Sequence, residues 1–134
     1  MKLKRGIAGI LSAGALAVLP VAVQAQAPVV VCTSVADLVP CPSFGSQPSQ
    51  IYLGSDGRTV LLGLRWTHWG HTTATGHGVL RENAGPPGKP EYIRSRADVT
   101  LSNLRECDSH RAYTHIHWRA RDVDIEYHGC VPHA

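Results

Sequence analysis

Three observations predict an all-β domain, a small antiparallel β-sandwich or barrel that is disulfide-stabilised. From Ile51 onward, apolar residues recur in short alternating runs separated by Gly, Pro, Asn and Asp. No window carries an apolar period of 3.6 residues. Four cysteines, Cys32, Cys41, Cys107 and Cys130, follow an N-terminus that reads as an export signal.

The elements follow in chain order. Lys2, Lys4 and Arg5 form a charged start, residues 7–23 are an apolar run broken by Pro20, and Ala25-Gln26-Ala27 is a small-x-small cleavage site. Residues 1–27 are therefore expected to be a secretory signal peptide, cleaved after Ala27 or Ala25, and the mature protein to be secreted and extracellular. The run ends without a stop-transfer cluster, so no membrane span is expected in the mature chain. Residues 28–50 read as a Pro- and Ser-rich lead-in, since Pro28, Pro40, Pro42 and Pro48 punctuate them and only residues 29–31 look strand-like. Residues 51–134 read as a single β domain.

Within that domain, residues 51–53 lead into a turn at Gly54, Ser55, Asp56 and Gly57. Residues 59–69 form a strand with Leu62, Leu64 and Trp66 on one face, and Gly70 and His71 reverse the chain. A Thr-rich strand follows at 72–81, where Gly76 and Gly78 signal a bulge or a close backbone approach. Residues 83–90 are a Pro- and Gly-rich exposed loop. The clearest alternation puts Ile93, Ser95, Ala97, Val99 and Leu101 inward against Arg94, Arg96, Asp98, Thr100 and Ser102. Residues 105–111 read as a polar connection, and 113–121 as a strand with Ile116, Trp118 and Ala120 on its apolar face. Residues 123–127 alternate in the opposite phase, which demands a turn or bulge at Arg121 and Asp122.

Charge excludes some classes of partner. The chain has 13 Lys and Arg against 10 Asp and Glu, and Lys2, Lys4 and Arg5 belong to the leader, so the mature side chains balance ten against ten. No nucleic-acid partner and no membrane-surface attraction is expected from such a surface. The eight His all remain, and they supply positive charge as the pH falls through about 6.5. In an oxidising compartment the four Cys imply two disulfides with three connectivities open; the pairs Cys32–Cys41 and Cys107–Cys130 are preferred because each closes a local loop. No C-x-x-C spacing supports a zinc site built on Cys.

Leu64-Arg65-Trp66-Thr67-His68-Trp69-Gly70, followed by Ala74-Thr75-Gly76, Val99-Thr100-Leu101 and the aromatic-led Tyr113-Thr114-His115-Ile116, resembles a group of uncharacterised small secreted actinobacterial proteins with an L-x-W-x-x-W-G…A-T-G pattern. The resemblance spans roughly residues 51–121. It implies a compact secreted β domain and carries over no functional residues. The Cys pair that such proteins usually carry in the middle loop is missing from residues 83–90.

Alternation along residues 113–121 puts Tyr113, His115, His117, Arg119 and Arg121 on one face, with the two His roughly 6.6 Å apart. Such an H-x-H pair chelates a divalent metal when a neighbouring strand adds a ligand. His68, His77 and His110 are the residues considered for that role, and Zn²⁺ or Cu²⁺ is the cofactor these ligand types suggest. Trp69, with Tyr113, Arg119 and Arg121, is the candidate binding surface. The competing bland expectation is a solvated sheet face with His68 and His71 decorating a turn. His115, His117 and Glu126 with Arg119 could serve acid–base chemistry of ribonuclease type. The chain has no G-x-S-x-G elbow, H-E-x-x-H helix or phosphate loop. The expectation is therefore a secreted non-catalytic β domain that binds or packs, with a metal-binding protein and a small hydrolase as alternatives. The loop at 83–90 is the surface best shaped for a protein partner.

Overall fold

The computed structural model, which describes residues 27–36, 40–54 and 56–130, contains nine strands and no helix among them. They are β1 (Val29–Cys32), β2 (Ser34–Val35), β3 (Phe44–Gly45), β4 (Ile51–Leu53), β5 (Thr59–Thr67), β6 (Thr73–Asn83), β7 (Tyr92–Cys107), β8 (His110–Ala120) and β9 (Val123–His128). The expected signal sequence, residues 1–27, lies outside the described residues apart from its last residue, Ala27. No helix among those described is long and apolar enough to cross a membrane.

The all-β fold is as the alternating pattern requires, and the sheet curls into a nearly closed barrel. Its order is β2-β4-β5-β6-β7-β8-β1-β3, with β9 also on β8. β4 to β9 pair antiparallel in succession, each hairpin following from a short connection. β1 lies parallel to β8 and β2 parallel to β4, and only Thr33 separates these two strands in the chain. The segment therefore straps one edge of the sheet to the other. Tyr52 N–H donates to Thr33 O (2.8 Å) and Gly54 N–H to Val35 O (2.6 Å) across the seam.

This corrects the lead-in expected at 28–50. Val31 is fully buried, and Val30, Cys32 and Val35 are nearly so. Two parallel pairings also depart from a purely antiparallel sheet, because a long-range strap is not bound by hairpin geometry. Cys32–Cys41 and Cys107–Cys130 form the two local disulfides, with Cα atoms 5.8 and 5.7 Å apart.

The core is lined by Leu61, Leu80, Leu101 and Ile116, with Ile51 and Val99. On β5 the inward face is not the expected Leu62–Leu64–Trp66 row. The register slips by one residue between Leu62 and Arg65. Gly63, at φ +60°, supplies the left-handed residue of a bulge, so Leu61 and then Leu64 point inward. Gly78, opposite the bulge, provides the close approach anticipated from the sequence, and Gly76 lies under the Trp66 ring. On β7, Ile93 keeps the inward side, opposite Glu82, but is 41% exposed near the end of the hairpin. The expected connection at 105–111 is instead strand on both sides. Asp108 and Ser109, both at positive φ, make the tight turn between β7 and β8.

The inward phase changes partway along β7 and β8. It passes from Leu101 to Leu104 on one strand and from Ile116 to Tyr113 on the other, around Asn103 at φ +60° and Thr114, whose Oγ1 donates to Asn103 O (2.8 Å). Both strands slip together, so their pairing register is unchanged. Tyr113 consequently lies inside, 2% exposed, and not on the outward stripe. On the opposite face a small cluster of Val30, Ala112 and Cys107 is covered by Phe44 and Cys130.

Tyr113 holds the β5–β6 connection. Its hydroxyl donates to His71 O (2.6 Å) and accepts from Gly70 N–H (2.9 Å), and its ring meets Trp69 edge-on. Burial pushes its phenol above the ordinary value of 10.0, against the opposing pull of the Gly70 hydrogen bond and the Arg111 charge. A raised folded-state value means that this group's contribution is complete below the unfolded value and is lost as the pH rises through the folded one. Tyr113→Phe is expected to cost about 1–3 kcal/mol at pH 7, since both backbone groups lose their partner. Urea denaturation should also show the wild type losing stability above about pH 10 more steeply than the variant.

Candidate metal centre

The β8–β9 hairpin turns at Arg121 and Asp122, where the change of phase required it, with Arg121 at φ +50°. The resulting register sets His115 opposite His128, His117 opposite Glu126, and Arg119 opposite Asp124. On the other side of β8, β7 sets Ser102 opposite His115. These residues form the outer face of the sheet.

His115, Glu126 and His128 converge there, their ligand atoms all within 4.8 Å of one another. The two imidazoles stack with centroids 4.4 Å apart and planes 20° from parallel. Glu126 Oε2 stands 3.8 Å from His115 Nε2 and 4.0 Å from His128 Nε2. His115 Nδ1 is bonded to Ser102 Oγ at 2.9 Å, while its Nε2 is buried and has no hydrogen-bond partner. In the tautomer in which the Ser102 hydroxyl accepts from Nδ1–H, Nε2 presents a lone pair toward the Glu126 carboxylate, an arrangement that suits a cation held by both.

The separations suit a metal after a small adjustment. Bonds of about 2.0–2.1 Å in a tetrahedron place ligand atoms roughly 3.3–3.5 Å apart, and the two imidazole-to-carboxylate distances exceed that by about half an ångström. His128 is 72% exposed and Glu126 56%, so both are free to close on an ion, while His115, at 21%, is the anchored member. Two imidazoles and one carboxylate form a borderline N/O set that suits Zn²⁺ or Cu²⁺ and leaves a position for water or ligand.

The other residues singled out from the sequence lie elsewhere. His117 Nε2–H is directed at Asp124 Oδ1 (2.5 Å) and away from His115's partners. That hydrogen bond, reinforced by the His117 and Arg119 charges, holds the Asp124 carboxyl below the usual carboxylate range despite some desolvation. Arg119 is engaged with the same carboxylate at 3.4 Å. His77 pairs with Asp98 (2.7 Å), His68 meets His71 edge-on at the β5–β6 connection, and His110 stacks on Phe44. None of these reaches the centre. Trp69, half-buried, braces the barrel, its Nε1–H donating to Val29 O (3.1 Å) and its ring touching Trp66 and the buried Tyr113. Arg121 is exposed in the turn.

His128 escaped notice as a ligand, although the sequence held a sufficient signal. A two-residue turn at 121–122 pairs 120 with 123 and, counting back, 115 with 128. Comparison with family models, with curated proteins and with solved structures finds no match for this chain. What the site can do therefore follows from its own geometry.

Proposed function

We propose that this protein is an exported, disulfide-stabilised β-barrel that binds rather than catalyses, and that its ligand is a divalent late first-row metal, Zn²⁺ or Cu²⁺, held by His115, Glu126 and His128. The supporting observation is the buried, unbonded Nε2 of His115, aimed at a carboxylate too distant for a hydrogen bond and flanked by a second imidazole. Ser102 orients the anchoring imidazole from behind, as outer partners of metal-bound His generally do. Export is supported by the N-terminal pattern and is compatible with two disulfides.

Calorimetry at pH 7.5 on the mature protein should show one Zn²⁺ or Cu²⁺ bound more tightly than about 100 μM. At a free metal concentration of about a hundred times Kd, the gain of about 2.7 kcal/mol should raise the melting temperature by roughly 10 °C. The gain should fade below about pH 6.5, where imidazole takes up the proton that the metal must displace. His128→Ala should abolish binding, whereas His117→Ala and His77→Ala should leave it. Absence of saturable binding, or binding indifferent to His128→Ala, would refute the assignment.

A further inference from the structure

β9 covers only the second half of β8, and β2 is two residues long, so among the described residues the barrel seam is incompletely sealed between β9 and the β2–β4 edge. A cleft of about 340 Å³ opens there, at the small end of the range of ligand pockets. Its walls include Val35, Leu53, Leu80, Trp118 and Ile125. Ile125 is 46% exposed, yet it lies opposite Trp118 on the inward side of β9, so its exposed surface belongs to this cleft and not to the outer sheet face.

Glu82 lines the same cleft. It follows Leu80 by two residues on β6 and so shares its inward side, where a carboxylate is out of keeping with the apolar lining. It is half-buried, paired across the strands with Thr59 and Ile93, and no cation or donor bonds its carboxylate among the described residues. Glu126 adds a second acidic group at the rim, and among the described residues no Lys or Arg lines the cleft.

From this combination of an apolar groove and an unpaired inward carboxylate, we infer that the seam binds a small organic cation, a primary ammonium group carried on an apolar or aromatic body. The body takes the place of water against Leu80, Trp118 and Ile125, and the ammonium donates to Glu82, a charge-assisted bond that a neutral analogue cannot make. An anionic analogue meets two carboxylates and is repelled. The cleft shares Glu126 with the metal centre, whose His115 and His128 lie on the outer face, so the inference rests on Glu82 and is tested on metal-free protein.

NMR titration of the mature protein, following the Trp118 indole N–H resonance, tests it with three matched probes: 2-phenylethylammonium, 2-phenylethanol and 3-phenylpropanoate. The ammonium should saturate the shift below about 10 mM and bind at least tenfold more tightly than the alcohol, and the carboxylate should not saturate it. Glu82→Gln should reduce the ammonium to the affinity of the alcohol. Ile125→Ser, at a half-exposed position, should weaken both, and His128→Ala should change neither. Equal binding of all three probes, no saturable shift with the ammonium, or an unchanged preference in Glu82→Gln would each overturn the inference. Loss of metal binding with the amine preference intact would count only against the metal centre.

Discussion

Reduction of both disulfides is expected to bring the protein to the edge of unfolding at 25 °C. Loop-closure entropy assigns about 3 kcal/mol to the link between Cys107 and Cys130, 23 residues apart, and slightly less to the one between Cys32 and Cys41, 9 apart. Their sum of about 6 kcal/mol is comparable to the whole stability of a typical small domain, about 5–15 kcal/mol. The two links act at different places. Cys107–Cys130 ties the β7–β8 end to the end of β9, whereas Cys32–Cys41 anchors the strap that closes the barrel. Urea denaturation followed by Trp fluorescence, with and without a phosphine reductant, should show the midpoint collapse. Replacing Cys32 and Cys41 together by Ser should give the partial loss. A reduced protein within about 1 kcal/mol of the oxidised one would mean that the strap's apolar burial alone closes the barrel.

Gly78→Ala is expected to destabilise by about 3 kcal/mol, the upper range for overpacking in a core. A Cβ there would lie 2.5 Å from the Leu62 carbonyl oxygen and 3.0 Å from Leu64 Cδ2. The carbonyl is part of the β5 bulge and cannot rotate away as a side-chain tip could. Relief requires the bulge to move, and with it the inward placement of Leu61 and Leu64. Gly63→Asn is the instructive contrast. Gly63 has a positive φ but open space around its Cβ position, and Asn tolerates the left-handed region, so the expected cost is under about 1 kcal/mol. Thermal denaturation of the two variants side by side tests whether close approach, rather than backbone conformation, is the requirement at this bulge. Equal effects would put the cost in the backbone.

The strands were legible wherever one face is apolar and the other polar. Ala97, Val99 and Leu101 alternate cleanly because β7 there has the core on one side only. Alternation misled where the phase slips. Tyr113 sits two residues before His115, and period-2 counting puts them on one face, but the coupled irregularity at Asn103 and Thr114 turns Tyr113 inward. The lead-in was opaque for a different reason. Val29, Val30 and Val31 form too short a run to reveal that both of their faces are covered, one by the main core and the other by Phe44 and the Cys107–Cys130 link.

The sequence by itself determined the all-β class, the local disulfide pairing, the turn at 121–122 and the glycines at which chains approach closely. Each is written in a few consecutive residues, through alternation, loop length or the absence of a Cβ. Only the tertiary structure decided that residues 29–35 close a barrel, that His115 works with His128 and Glu126 while His117 turns to Asp124, and that Glu82 faces an apolar seam. These depend on which strands become neighbours and in what register. A shift of one residue in pairing exchanges the two faces of a strand, so the chemistry of a sheet surface is settled by long-range pairing and not by spacing within a strand.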